Sequence, residues 1–252
     1  MKRPQMVLFD YGNTIIEETI HGFDKGNEAL LAVAADNPRH ITIQTFQAKL
    51  DEIIYEMSSK MGCTNRFYQP YEISWCSIYR YAAAYFGITF RQPFEVLEEI
   101  YWDAATSGRP AEHIEELLTF LQEQHIRTGV VSNIMLTGAT LRRRIEKLLP
   151  AHHFSFILAS SDYAFRKPEK ALFELALQQA GLPAEEVWFC GDNPICDVEG
   201  AKRAGMQPIW YRKTFREKAD LTMRLPPDQY LVVDDWSELI TMIQQRGVDD
   251  DI

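Results

Sequence analysis

Residues 7 to 14 read VLFDYGNT: a short apolar run that stops abruptly at Asp10 and passes into a turn at Gly12, Asn13 and Thr14. A run of this length and kind fits a strand buried on both faces, so it points to a sheet covered by helices on either side. Five similar runs follow at wider intervals: TGVV (128 to 131), FILA (156 to 159), VWFC (187 to 190), PIWY (208 to 211) and YLVV (230 to 233). Beyond residue 110 they alternate with helix-like segments at 112–124, 139–149, 170–180, 197–204 and 236–245. Strand and helix alternating at this spacing predict a doubly wound, parallel α/β sheet of Rossmann-like architecture.

Residues 16 to 108 break the rhythm, because they carry long helical patterns and no comparable strand run. Phe46, Leu50, Ile53, Ile54, Met57 and Met61 recur at helical spacing, as do Trp75, Ile78, Tyr79, Ala82 and Phe86; Phe94, Leu97, Ile100 and Tyr101 make a third set. The expectation is an all-helical cap over 16–108 inserted into an α/β core built from 1–15 and 109–252. Its aromatic residues are read as packing between helices.

Bulk composition narrows the function classes. The 252 residues hold 36 acidic and 26 basic side chains, a formal net charge of -10, so the surface repels polyanions and nucleic acid is not expected as a partner. A small anion is still compatible, since a metal and one or two basic groups invert the potential locally. The four cysteines (Cys63, Cys76, Cys190, Cys196) form no CxxC pair and read as reduced structural residues. No apolar stretch approaches the roughly 18 residues of a membrane span, and the start of the chain lacks the apolar run of a secretory signal. Cytoplasmic location without membrane association follows as an expectation; a homodimer stays open.

Four separated features carry chemistry, each near the carboxyl end of an expected strand, where open α/β sheets hold ligands. Asp10 supplies a carboxylate that can attack phosphorus, and Gly12 lets the backbone approach a ligand closely. Ser132 and Asn133 end the VVSN run, where a hydroxyl and backbone N–H groups suit phosphate oxygens. Lys167, before Pro168, offers an ammonium that would offset repulsion between Asp10 and an incoming phosphate. In CGDNPICD (190 to 197), Asp192 ends a strand, Asn193 and Pro194 look like a helix cap and first residue, and Asp197 lies in the first turn. Two carboxylates so placed suit Mg²⁺, which prefers oxygen ligands.

Taken in order, Asp10, Ser132, Lys167 and the Gly191-Asp192 pair with Asp197 resemble the four motifs of haloacid dehalogenase-like hydrolases, over residues 7 to about 211. The resemblance implies that Asp10 and Lys167 are catalytic and that Asp10, the Gly12 carbonyl, Asp192 and Asp197 hold or support Mg²⁺. It further implies phosphate binding by Gly12, Asn13, Ser132, Asn133 and Lys167, with a small phosphorylated metabolite as substrate.

One position departs from that pattern. Phosphatases of the superfamily usually carry a general-acid Asp two residues after the nucleophile, and here that residue is Gly12. Three readings follow: a phosphatase acting on labile substrates or borrowing an acid, with His21 and Asp24 nearest; carbon–phosphorus cleavage using a cap lysine such as Lys25, Lys49 or Lys60; or a nearly inactive Mg²⁺- and phosphate-binding regulatory protein. The first is favoured; dehalogenation is the least expected, because related dehalogenases do not need the late carboxylates. Arg142 to Arg144 are read as a solvated helix face.

Overall fold

The computed structural model describes residues 3–60, 70–213 and 224–247. The first half of the chain runs β1 (Met6–Phe9), β2 (Ile16–Ile20), α1 (Phe23–Ala32), β3 (Ala34–Asp36), α2 (Ile43–Lys60), α3 (Trp75–Phe86), β4 (Thr89–Phe90), α4 (Phe94–Ala105) and β5 (Thr106–Pro110). It continues with α5 (Ile114–Glu123), β6 (Arg127–Ser132), α6 (Gly138–Leu148), β7 (Phe154–Ala159), α7 (Ser160–Tyr163), α8 (Lys170–Ala180), β8 (Val187–Gly191), α9 (Gly200–Arg203), β9 (Gln207–Tyr211), β10 (Leu231–Val233) and α10 (Trp236–Gly247).

Six strands form one parallel sheet in the order β10-β9-β8-β1-β6-β7. All four residues of β1 are buried, as the unbroken apolar run requires of a central strand. From β1 the chain builds outward through β6 and β7, then crosses to β8 and builds the opposite way. The reversal falls between β1 and β8, and the crevice beyond their carboxyl ends is where such a sheet accepts ligands. Asp10 leaves β1 at this point, its N–H donating to the Cys190 carbonyl at 2.9 Å. Behind it Phe9 meets Trp236 edge-on at 5.6 Å, and the Trp236 indole donates to the Thr14 carbonyl at 3.1 Å. The turn after the nucleophile candidate is thereby tied to α10.

Between β2 and β5 lies the inserted segment. Its α3 buries Trp75, Ile78, Tyr79, Ala82 and Phe86, the five positions that helical spacing selects, each contributing roughly 1.5–3 kcal/mol for the larger side chains. The insert differs from the all-helical expectation in two antiparallel ribbons, β2 with β5 and β3 with β4. IEETI and TSGRP are too polar and too short to read as strands; they are held by pairing from Ile16 opposite Pro110 to Ile20 opposite Thr106. A break drawn at 108/109 therefore cuts β5, and both chain crossings lie in one ribbon.

The insert is bonded to the core at several points. Glu98 of α4 is fully buried and accepts from the Thr137 N–H at 3.1 Å, the Thr137 hydroxyl at 2.5 Å and the Thr140 hydroxyl at 2.7 Å. The Trp75 N–H donates to the Met135 carbonyl at 2.9 Å. Among the described residues, Cys76, Cys190 and Cys196 are free thiols and no helix is long and apolar enough to cross a membrane. Met61, Cys63 and the acidic run 249–251 lie outside the described residues.

Candidate active site

The ammonium of Lys167 is the centre of the crevice. Its side chain is 1% exposed, and Nζ lies 2.7 Å from Asp10 Oδ1, 2.7 Å from Asp197 Oδ1 and 2.8 Å from the Val131 carbonyl. Burial alone would lower its pKa, but the charges of Asp10 and Asp197 outweigh that and hold it above the ordinary lysine value. Asp197 is the complement: burial pushes its carboxyl up to about 6 against the pull of Lys167, with the Asp10 charge adding to the rise.

Local backbone explains how these groups meet. Asn193 caps a π-helical turn over Pro194–Glu199, its Oδ1 accepting from the N–H groups of Ile195 and Cys196 at 3.0 and 2.9 Å, with Pro194 first in the turn. That turn presents Asp197 back toward the sheet, where Oδ2 accepts from the Asn193 N–H at 2.9 Å. Gly191 is required here, because a Cβ at that position would collide with the Asp197 carboxyl. Asp192 follows, its carbonyl accepting from the Trp210 indole at 3.0 Å. One carboxylate oxygen from each of Asp10, Asp192 and Asp197 lies within 4.8 Å of the others.

The crevice encloses about 380 Å³ and is lined by Asp10, Gly12, Ser132, Asn133, Lys167, Asp192 and Asp197 among others. Of the expected site residues it omits Asn13, which sits at φ 57° with its N–H donating to the Ile16 carbonyl at 2.7 Å; the residue shapes the turn rather than facing the crevice. The Asn133 side chain is also engaged elsewhere. Its Oδ1 accepts from the Lys167 N–H and its Nδ2 donates to the Lys167 carbonyl, both at 2.7 Å, so the amide positions the lysine.

Of the remaining residues, the Arg142–Arg144 run is the one that departs from its expected place. Neither His21 nor Asp24 lines the crevice; the His21 ring is paired with the Ser107 hydroxyl at 2.9 Å. Arg142 and Arg143 are exposed, but Arg144 is buried, bonding Glu18 through Nε and Nη2 at 3.1 Å each and Asp103 through Nη1 at 2.9 Å. The residue turns inward because i, i+3 spacing from Leu141 puts it on the packed face. Among the described lysines only Lys167 lines the crevice; Lys49 and Lys60 pair with Glu52 and Glu56 on their own helix.

Sequence reading also missed several groups. Glu18 of β2 lines the crevice and accepts from the Tyr11 hydroxyl at 2.5 Å. Burial, then the Glu18 charge, raises the Tyr11 phenol well above its usual value. On the other wall Arg166 Nη1 donates to both oxygens of Glu72, at 2.6 and 2.5 Å, and Ser160 donates to Glu72 Oε2 at 2.6 Å. Arg166 stands in the RKP triplet, yet its partner is 94 residues away, beyond any local signal.

A parallel α/β core with strand-end carboxylates gathered about a buried lysine, and a mainly helical insert after the first strand, defines the class. Residues 7–211 match the family model described as haloacid dehalogenase-like hydrolase, and the chain belongs to that family. It is 38% identical over 104 residues to a phosphoserine phosphatase from Thermus thermophilus, covering 40% of this chain and 41% of that protein. Here the match spans about two fifths of the relative's length. A glyceraldehyde 3-phosphate phosphatase from Pyrococcus abyssi is 24% identical over 220 residues, covering 82% of this chain and 81% of that protein. The crystal structure of a 2-haloacid dehalogenase from Pseudomonas syringae shares the fold, with a TM-score of 0.64 at 21% identity and coverage of 98% of this chain and 100% of that chain.

Proposed function

We propose that this protein is a Mg²⁺-dependent phosphatase that transfers a phosphoryl group from a small substrate to Asp10 and then to water. The observation that carries the reading is the meeting of Asp10, Asp192 and Asp197 around the single ammonium of Lys167 in one crevice. Among the described residues these three carboxylates converge in a confined space, and their oxygens are the hard donors a divalent cation takes. Asp10, Asp192 and the Gly12 carbonyl would hold Mg²⁺. Asp197, with Oδ1 on Lys167 and Oδ2 on the Asn193 N–H, supports them from behind. When bound, the ion supplies charge neutralisation and alignment for the phosphoryl oxygens.

Oδ1 of Asp10 accepts from Lys167, so attack falls to Oδ2, in line with the bond to the leaving group. The Asp10–phosphorus bond forms as the phosphorus–oxygen bond of the substrate breaks, and the leaving oxygen takes the electron pair. Lys167 offsets the charge of the transferring group, while the Ser132 hydroxyl, at the end of β6, donates to a phosphoryl oxygen. Water then attacks phosphorus, breaking the Asp10–phosphorus linkage and releasing phosphate. Gly12 has no side chain to protonate the leaving oxygen or to take the proton from water, which favours substrates whose leaving group departs unaided.

The test is phosphate release from acetyl phosphate and p-nitrophenyl phosphate by the intact chain. Turnover should need Mg²⁺, cease with chelator and be lost in Asp10→Asn. Mg²⁺ and phosphate binding without turnover of either compound would replace the enzyme with a binding protein.

A further inference from the structure

Next to the crevice lies a second cavity of about 480 Å³, between the insert and the core, and the function proposed above does not use it. The two adjoin: Phe23, Trp102, Thr106, Asn133, Ile134 and Arg166 border both. The volume is within the roughly 300–1,000 Å³ range of small-molecule pockets. A phosphoryl group held at Asp10 and Lys167 would thus direct the rest of its molecule through this junction.

Most of the lining is apolar or aromatic, with Gln47, Asp51, Ser58, Glu72, Thr106, Asn133 and Arg166 as its polar members. Trp75 stacks on Tyr79 at 3.9 Å between centroids and 17° between planes, and Tyr101 lies 5.4 Å from each. Leu50 and Ile54 of α2, with Ile73, Met135 and Leu136, add to the apolar lining. Such rings favour another ring, through offset or edge contacts. Charge points the same way. Among the described residues lining the cavity, the cation is Arg166, and it is bonded to both oxygens of Glu72. Asp51 adds a carboxylate at the mouth, so among the described residues an anionic group entering would meet two carboxylates and a guanidinium whose charge is already shared with Glu72.

We infer that the second cavity receives the leaving group of the substrate, and that this group is an uncharged aromatic or bulky apolar moiety, as in an aryl phosphate. The inference rests on the phosphatase reading. The chemistry of Gly12 agrees with it: a phenolic oxygen, with a pKa of about 10, departs as its anion far more readily than a sugar alkoxide, so the missing acid matters least for the leaving group the cavity fits. A substrate with a second phosphate or a carboxylate on the leaving group is disfavoured by the charge at the cavity.

The experiment compares kcat/KM for acetyl phosphate, 2-naphthyl phosphate and 4-carboxyphenyl phosphate with Mg²⁺ and the intact chain. The 2-naphthyl ester should exceed the carboxyphenyl ester at least about tenfold, since an uncompensated buried charge costs more than the roughly 1.4 kcal/mol that tenfold represents. Asp51→Arg should narrow that gap. Ile54→Trp, which fills the cavity, should lower the ratio of naphthyl to acetyl turnover at least about tenfold; Ser58→Trp serves if that variant does not fold. Equal use of the two aryl esters by the unaltered protein, or an unchanged naphthyl-to-acetyl ratio in a folded filled variant, would overturn the inference. Failure to hydrolyse any of the three phosphates would overturn the phosphatase reading, and the inference with it.

Discussion

The side chain of Asn133 grips the backbone of Lys167 from both sides, accepting from its N–H and donating to its carbonyl at 2.7 Å each. This clamp joins the loop after β6 to the loop before α8, and it leaves Nζ as the only part of the lysine directed at the crevice carboxylates. Asn133 is a positioning residue: removing its amide lets the ammonium drift and strands two backbone groups.

Asn133→Ala is therefore expected to lower kcat by about 10- to 100-fold, the cost usual for groups that orient a reactive side chain. Stability should fall by about 1–3 kcal/mol, because backbone groups lose their partners in a half-buried place. Steady-state kinetics and denaturant titration check both. A rise in KM with kcat unaltered would instead make the amide a direct phosphate contact.

Lys167 should prove as much a folding residue as a reactive one. Lys167→Met leaves Asp10 and Asp197 facing each other without compensation, and breaking a buried ion cluster in this way costs about 3–5 kcal/mol. Adding Asp197→Asn removes part of that repulsion and should restore at least about 1 kcal/mol, while activity stays lost in both. Urea unfolding of the two variants decides it; a double variant no more stable than the single one would mean that the lysine stabilises by packing alone.

Position 12 is open. A Cβ built at Gly12 has nothing within 4 Å, so a side chain can leave the backbone there without moving the turn. Gly12→Asp should raise turnover of sugar phosphates by about 10²- to 10⁴-fold and that of acetyl phosphate much less, since only the poor leaving group needs a proton. Equal gains on both, or none on either, would show that protonation does not limit the reaction.

The parts of this arrangement that sequence disclosed are those with a local physical signature. β1, β6, β7, β8, β9 and β10 were legible because strands buried on both faces must be continuously apolar, and α3 because one face of a helix must be. Asp10, Ser132, Asp192 and Lys167 were legible because strand ends and a restricted backbone before proline are visible as patterns. What stayed hidden depends on distant partners. IEETI forms β2 only because TSGRP comes back beside it; Arg144 is buried because Glu18 and Asp103 meet it; Glu72 means nothing without Arg166. Nothing near Asn133 in sequence shows that Lys167 will occupy its side-chain amide.

Proton and cation should compete at the crevice through Asp197. Burial pushes its carboxyl up to about 6 from the ordinary 3.8, because the charged form loses its solvation. Between those values the folded chain binds more protons than the unfolded one, so without Mg²⁺ stability falls as pH rises from about 4 to about 6. Mg²⁺ binding acts oppositely, since it needs the carboxylates ionised and stabilises by mass action, about 2.7 kcal/mol at a hundredfold excess over Kd. The rise in Tm on adding Mg²⁺ should accordingly be small near about pH 5, grow through about pH 6 and level off by about pH 8. In Asp192→Asn the rise should shrink at every pH. Thermal melts across this range, with Mg²⁺ and with chelator, measure both. An Mg²⁺ increment independent of pH would separate Asp197 from the cation site, and one that survives Asp192→Asn unchanged would place the cation elsewhere on the protein.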